Sequence, residues 1–496
     1  MILRNLVLWL GLSMRLTCRP VRWRKLSWLL LFFMHPSMAA DHWFERYKAS
    51  ATPAELYQFL YAMPKGGDLH LHLSGSVLSR WYYELALAQS DNGYVYYAKQ
   101  HINNCAGAAE EARPVPYLLL QHTVDHLTYA QLSDCEKTEY VDLATLSEAQ
   151  TARWLSSIVL DKAHEGRDEF FENHWNRLGD LLRNPYLMAE VLVANMRAFG
   201  DEGLIYIEPQ VPIFGFVTAS GEALSLDRVL EIYTDRLAQA DAKATGVEVR
   251  MQVSLLRFLP DAEETLKVLY AFASKHSVIV AVNMVGREDN DKGYPLRFLS
   301  TLRMLRQTQG GVRLSIHAGE VDEPNHHIRD TLLLGAERIG HGFNLITDPD
   351  TLRLMRYGPY LIEISLISNL LLEYVDDFSR HPFPEYLRLG VPIALATDDR
   401  GMWDSTMTDE FFVAVTEFSL SWDEIVTLSR NALEYSFLDE TTKTKLLARF
   451  DRRIEKFVRQ VQTRDGFVWT KPPAPKLGLI CRTYNLCPVM QNEMEN

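Results

Sequence analysis

The sequence predicts an α/β chain built on a TIM (β/α)8 barrel, with an inserted subdomain after the first strand and extra terminal helices. Three observations carry this. From residue 203 onward, short apolar or β-branched runs alternate with amphipathic stretches of helical length. With "GGDLHLHL" placed in front, the strand-like runs number about eight, the count that closes such a barrel. The runs are apolar almost throughout, as suits parallel strands covered on both faces. An open doubly wound sheet is the competing arrangement.

Taken in order, residues 1–40 read as a signal peptide. Arg15, Arg19, Arg22, Arg24 and Lys25 precede the apolar run "LSWLLLFFM", and "SMAAD" offers small residues for cleavage near Ala39 or Ala40. A retained anchor is the alternative, although the run is short for a bilayer. Residues 41–62 are expected to form an N-terminal helical extension and 63–460 the barrel, whose first strand is "GGDLHLHL". Too much chain follows for one crossover helix. Residues 90–145 therefore read as an inserted subdomain on the face where barrel loops shape substrate access.

Helical segments follow around "TARWLSSIVLDKAH", "FFENHWNRLGDLLR" and "PYLMAEVLVANMRAFG". The remaining strands are "LIYIEPQ", "VEVRMQVSLL", "VIVAVNMVG", "VRLSIHAGE", "RIGHG", "YLIEISL" and "VPIALATDD", separated by helices such as "DAEETLKVLYAFASKH". "DEFFVAVTEFSL" and "SWDEIVTLSRNALEYSF" close the barrel, and 461–496 form a C-terminal tail.

Cysteine usage agrees with export to a secreted or periplasmic location. Outside the leader, locality pairs Cys105 with Cys135 and Cys481 with Cys487, with free buried thiols as the alternative. The net charge of −13 argues against a nucleic-acid partner, because that binding rests on Lys and Arg neutralising phosphates. No later segment reads as membrane-spanning, so no stable span is expected once the leader is removed. A small neutral substrate fits better.

In a strand, residues i and i+2 share a face, so His70 and His72 point one way and Leu69, Leu71 and Leu73 the other. Two neutral imidazoles at that spacing can chelate one cation. Alone the pair is a weak signal, and hydrogen-bonded core histidines are the plainer account. Later strand ends supply company: "LSIHAGE" carries His317 and Glu320, "RIGHG" carries His341, and "IALATDD" ends in Asp398 and Asp399. In a parallel barrel all strand C-termini open on one face, and charges buried there are costly unless they pair or bind metal.

On that reading His70, His72 and His317 supply nitrogen ligands and Asp398 a carboxylate. One zinc per chain is the expected cofactor, and it lowers the pKa of a bound water towards about 7. Glu320 is suited as the second acid because an apolar pocket raises a carboxyl's pKa. His341 and Asp399 orient the attacking water and accept its proton. The reaction class is metal-assisted hydrolytic attack on an electrophilic carbon.

"MPKGGDLHLHLSG", "HAGE", "RIGHG", "ISN" and "ATDD", in this order between Met63 and Met402, resemble the adenosine and AMP deaminase branch of the amidohydrolases. The layout is similar to the secreted adenosine deaminase growth factor subfamily. The resemblance implies a zinc-containing (β/α)8 barrel that converts adenosine, and 2′-deoxyadenosine, to inosine and ammonia. Carried over by motif, His70, His72, His317 and Asp398 match the zinc ligands, Glu320 the donor to purine N1, and His341 the histidine that helps activate the water. Asp399 matches the carboxylate that orients the water and contacts the purine, and Gly286 the glycine whose backbone N–H meets N3. Relatives of this layout imply a homodimer.

Four positions depart from the family pattern: Ser74 replaces the Asp that holds the ribose hydroxyl beside His72, Ser365 and Leu366 replace Cys-Pro, and Arg400 replaces a proline. The ribose end is therefore the open question. Alternatives are a deaminase of another purine nucleoside or nucleotide (AMP or a 5′-thio nucleoside) and an extracellular adenosine- or receptor-binding module. No Lys/Arg cluster accompanies the site motifs, which disfavours a phosphate.

Overall fold

The computed structural model describes residues 42–105, 116, 118–290, 292–462 and 478–487. The expected signal peptide, and the tail apart from 461–462 and 478–487, lie outside these residues. Two helices open the described chain, α1 (His42–Ser50) and α2 (Pro53–Ala62). Local chemistry starts α2: Pro53 fixes the first turn, the Thr52 hydroxyl accepts the Glu55 N–H at 3.2 Å, and the Glu55 carboxylate accepts the Thr52 N–H at 2.7 Å. Both helices pack on their own chain, with Phe44 5.7 Å from Trp422 and Phe59 5.2 Å from Phe457 between ring centroids. Each such buried Phe contributes roughly 1.5–3 kcal/mol.

Regular pairing in β1 (Gly67–Asp68) is short. The Asp68 carboxylate accepts the backbone N–H of His70 at 3.1 Å and of Thr397 at 3.2 Å, so a side chain takes over from the ladder. The expected strand thus survives as β1 followed by isolated parallel bridges at Leu71 and His72.

The chain then builds β2 (Tyr96–Lys99), β3 (Thr123–Asp125) and β4 (Tyr140–Asp142), a separate antiparallel sheet in the order β3-β2-β4. A Cys105–Cys135 disulfide lies in this region, and a second disulfide joins Cys481 to Cys487.

Parallel pairing resumes with β5 (Tyr206–Ile207), β6 (Gln210–Val211), β7 (Glu248–Val249) and β8 (Met251–Leu256). It continues through β9 (Ile279–Val285), β10 (Arg313–Ala318), β11 (Arg338–His341), β12 (Leu361–Ile364) and β13 (Ile393–Leu395). β1, β5 and β7 form a three-stranded ribbon, and the others a seven-stranded sheet ordered β13-β12-β11-β10-β9-β8-β6. The sheet is curled. Its two outer strands both reach the run after β1, through the bridges Leu71↔Asp398 and His72↔Gln210.

Helices cover the outside in the expected alternation; Ala262–Lys275, for example, buries Leu266, Leu269 and Tyr270 against β8 and β9. Inside the curl, Arg338 bridges Glu208 and Glu363 at 2.6 Å each and lies 3.8 Å over the Phe437 ring, so this buried cation is charge-balanced by two carboxylates. No helix among the described residues is long and apolar enough to cross a membrane.

Candidate active site

Strand direction delivers the polar residues to one end of the sheet. His317 lies in β10, His341 ends β11, Asp398 and Asp399 follow β13, and His70 and His72 follow β1. His70, His317, His341 and Asp398 offer ligand atoms that all lie within 4.8 Å of one another, and all four are buried. His72 joins the same point from its rim: its Nε2 is 3.2 Å from Asp398 Oδ1 and 3.2 Å from His317 Nε2. All four expected ligands are therefore brought together, with His341 lying closer to the centre than the sequence reading assigned it.

The donor set fits a divalent cation. His70 Nδ1 donates to Glu363 Oε2 at 3.0 Å, and His317 Nδ1 donates to Asn283 Oδ1 at 2.9 Å. Each contact directs Nε2 into the site as a lone pair, the arrangement that metal-bound histidines use. His70 Nε2 has no hydrogen-bond partner among the described residues. The Ser368 hydroxyl donates to Asp398 Oδ2 at 2.7 Å, which leaves Oδ1 facing His70 and His72. Bare imidazole nitrogens that approach one another beside a carboxylate are stable around a cation, and their hardness suits zinc.

Glu320 stands beside this centre, its Oε2 3.6 Å from His341 Nε2. Burial, with the Asp398 and Glu288 carboxylates nearby, pushes its carboxyl well above the ordinary range, which favours the protonated acid. His341 is pushed down to about 3, chiefly by burial, and is a neutral imidazole. Neither of its ring nitrogens has a hydrogen-bond partner among the described residues, nor does Asp399 Oδ1. His341 (φ 63°) and Asp398 (φ 54°) both adopt the left-handed backbone that non-glycine residues avoid, strain that concentrates at functional sites.

A cavity of about 1090 Å³ opens onto these groups. Gly286 lines it at φ 99°, and a β-carbon there would fall 2.6 Å from the Phe258 ring. Ser74 also lines it, its hydroxyl committed among the described residues only to the Met188 sulfur at 3.9 Å. Among the described residues the cavity roof comes from Phe170, Phe171, Glu172, Trp175 and Asn176, and none of the described residues of 90–145 lines the cavity. The inserted sheet acts one step back: His122 Nδ1 donates to Asn176 O at 2.7 Å, and the Asp125 N–H to Asp180 Oδ2 at 3.0 Å.

Several functional residues escaped the sequence reading: Glu363, Asn283, Gly75 and Glu288. The only signal for Glu363 and Asn283 is that each is a polar residue inside an apolar strand, in "LIEIS" and "VAVNMV". Gly75 is required because a β-carbon there would meet Asp399 Oδ1 at 1.8 Å. Glu288 accepts the backbone N–H groups of Gly319 and Glu320 at 3.1 and 3.2 Å and so holds the loop that carries Glu320.

Comparison with known proteins places this geometry in context. The sequence profile of the family described as adenosine deaminase matches residues 144–453. An adenine deaminase of Chelativorans sp. (strain BNC1) is 32% identical over 324 residues, covering 62% of this chain and 94% of that protein. Adenosine deaminase 2 of Pongo abelii is 23% identical, covering 86% of this chain and 84% of its own length. Among solved structures, an amidohydrolase from Burkholderia ambifaria with bound Zn superposes with a TM-score of 0.59 at 17% identity, over 84% of this chain and 96% of that one.

Proposed function

The chain belongs to the adenosine deaminase family, and from that premise we propose that it is a secreted or periplasmic, zinc-dependent purine deaminase whose substrate is adenosine. One observation carries the reading: a buried histidine–aspartate cluster and Glu320, its carboxyl pushed up by burial, face the same cavity as Gly286. The parallel bridges from Leu71 and His72 support taking the curled sheet as a closed (β/α)8 barrel. The two disulfides support export, since such bonds persist in oxidising compartments.

His70, His72, His317 and Asp398 would hold the zinc, with His341 alongside. When bound, the metal supplies an acidified water and positive charge beside the reacting carbon. Gly286, with no side chain in the way, lets its backbone N–H meet purine N3, and Glu320 delivers its proton to N1. That proton draws electron density from C6 and makes it electrophilic. His341, a neutral imidazole with no hydrogen-bond partner among the described residues, takes a proton from the attacking water, and Asp399 orients that water. A C6–O bond forms and the C6–N6 bond breaks: the proton taken by His341 passes to N6 so that ammonia leaves, and the proton remaining on the C6 hydroxyl restores Glu320, giving inosine.

The 32% identity to an adenine deaminase favours a second reading, the free base. Against it stands a cavity of about 1090 Å³, more than a base alone fills. Arg287, next to Gly286 in the cavity wall, is already held by Asp168 and Asp289 at 2.7 Å each and is therefore less available to a nucleotide's phosphate. A panel of adenosine, 2′-deoxyadenosine, a 5′-thio nucleoside, AMP and adenine tests the reading: the highest kcat/KM falls on adenosine, and a highest value on adenine or AMP overturns it.

A further inference from the structure

Gln210 is 3% exposed and lines the cavity, yet neither its amide oxygen nor its amide nitrogen has a hydrogen-bond partner among the described residues. A buried side-chain amide with both ends unpaired is costly, so a native chain keeps one where something else pairs it. The backbone of Gln210 is fixed on both sides: its N–H donates to Leu71 O at 2.9 Å, and its carbonyl accepts the Leu73 N–H at 3.0 Å. The side chain is therefore presented by a rigid strand beside His72 and Ser74.

We propose that Gln210 is a specificity residue for the sugar of a purine nucleoside, pairing with its hydroxyls. This inference rests on the functional reading above. Strand order gives the position. With N1 facing Glu320 after β10 and N3 facing Gly286 after β9, the purine edge continues through C4 to N9. The N9 substituent then faces the next strands in the sheet, β8 and β6, and Gln210 is in β6. An amide donates through Nε2 and accepts through Oε1, and a sugar hydroxyl can answer both. A phosphate only accepts and leaves Oε1 unpaired, while a free base ends at N9, short of the amide. Gln210 thereby supplies hydrogen bonding at the end of the site where Ser74 has, among the described residues, only a sulfur contact.

Gln210→Leu in the zinc-loaded full chain tests this. Loss of two neutral hydrogen bonds predicts a KM for adenosine raised about 10- to 100-fold, with kcat changed far less. The unliganded variant keeps or raises its Tm, because an unpaired buried amide has been replaced by an apolar group of similar size. Inosine raises the Tm of the wild type but not of the variant. A KM within about two-fold of wild type, or a Tm that falls together with kcat, overturns the inference while leaving the functional reading intact. A wild-type chain that deaminates adenine but no nucleoside overturns both.

Discussion

His70 Nδ1 donates to Glu363 Oε2 across 3.0 Å, through space that Gly340 leaves free: a β-carbon at Gly340 would fall 2.5 Å from His70 Cε1. Glu363 sits opposite Gly340 in the β11–β12 register, so the missing side chain lets the ring reach the carboxylate. Glu363→Gln keeps the shape but weakens the hold on the Nδ1 proton. The expected result is a metal affinity lowered about 10- to 100-fold, read by competition with a chelator. The substitution also strips Arg338 of one partner, so stability falls, by about 3 kcal/mol as for other broken buried pairs.

Glu288 sets an acid limit. Burial alone pushes its carboxyl up, but His327 Nδ1 at 2.7 Å, Arg257 and the amides of Gly319 and Glu320 outweigh burial and hold it down to about 2. A carboxyl depressed on folding stabilises the fold above its unfolded value of 4.5, and that contribution is lost as pH falls from there towards 2. Glu288→Gln is therefore less stable than wild type at pH 7, by on the order of 3 kcal/mol. The gap narrows below pH about 4.5 in denaturant titrations; a gap constant with pH contradicts the assignment.

Gly75→Ala places a methyl group against the Asp399 carboxylate, at 1.8 Å from Oδ1. Asp399 must shift, while His70, His72, His317 and Asp398 keep their own supports. Metal content stays at the wild-type level and kcat drops about 100-fold or more, a scale set by misplaced catalytic groups. Equal loss of metal and activity would show that Gly75 supports the whole centre.

The Cys105–Cys135 bond closes a 30-residue separation in the subdomain that buttresses the cavity roof. Cys105→Ser with Cys135→Ser is expected to cost about 3–4 kcal/mol of local stability. The loosened roof reads out as faster amide exchange in 170–176 and a raised KM, with kcat little altered. Unchanged exchange there would disconnect the insert from the substrate.

The site was legible in the sequence where chemistry demands rare residues at strand ends. His70, His72, His317 and Asp398 stand out because histidine and aspartate rarely close apolar runs without a reason. Glu363 and Asn283 did not, because each acts on a histidine from another strand and only the sheet's register brings the pairs together. Gly75 carries no chemical group, and its role exists only as space beside Asp399. The α/β alternation was legible for the same reason as the ligands, since apolar runs and amphipathic helices leave different periodicities. The roof was not: among the described residues Phe170, Phe171, Glu172, Trp175 and Asn176 line the cavity, and their pattern reads only as a helix.

The most direct test of the central claim is product analysis of adenosine incubated with the zinc-loaded chain and with Glu320→Gln. The wild type releases inosine and ammonia in equal amounts and loses this activity on chelation. Glu320→Gln retains its metal and turns over at least about 100-fold more slowly, because the proton for N1 is gone. Undiminished turnover by Glu320→Gln, or no inosine from the zinc-loaded wild type, contradicts the account.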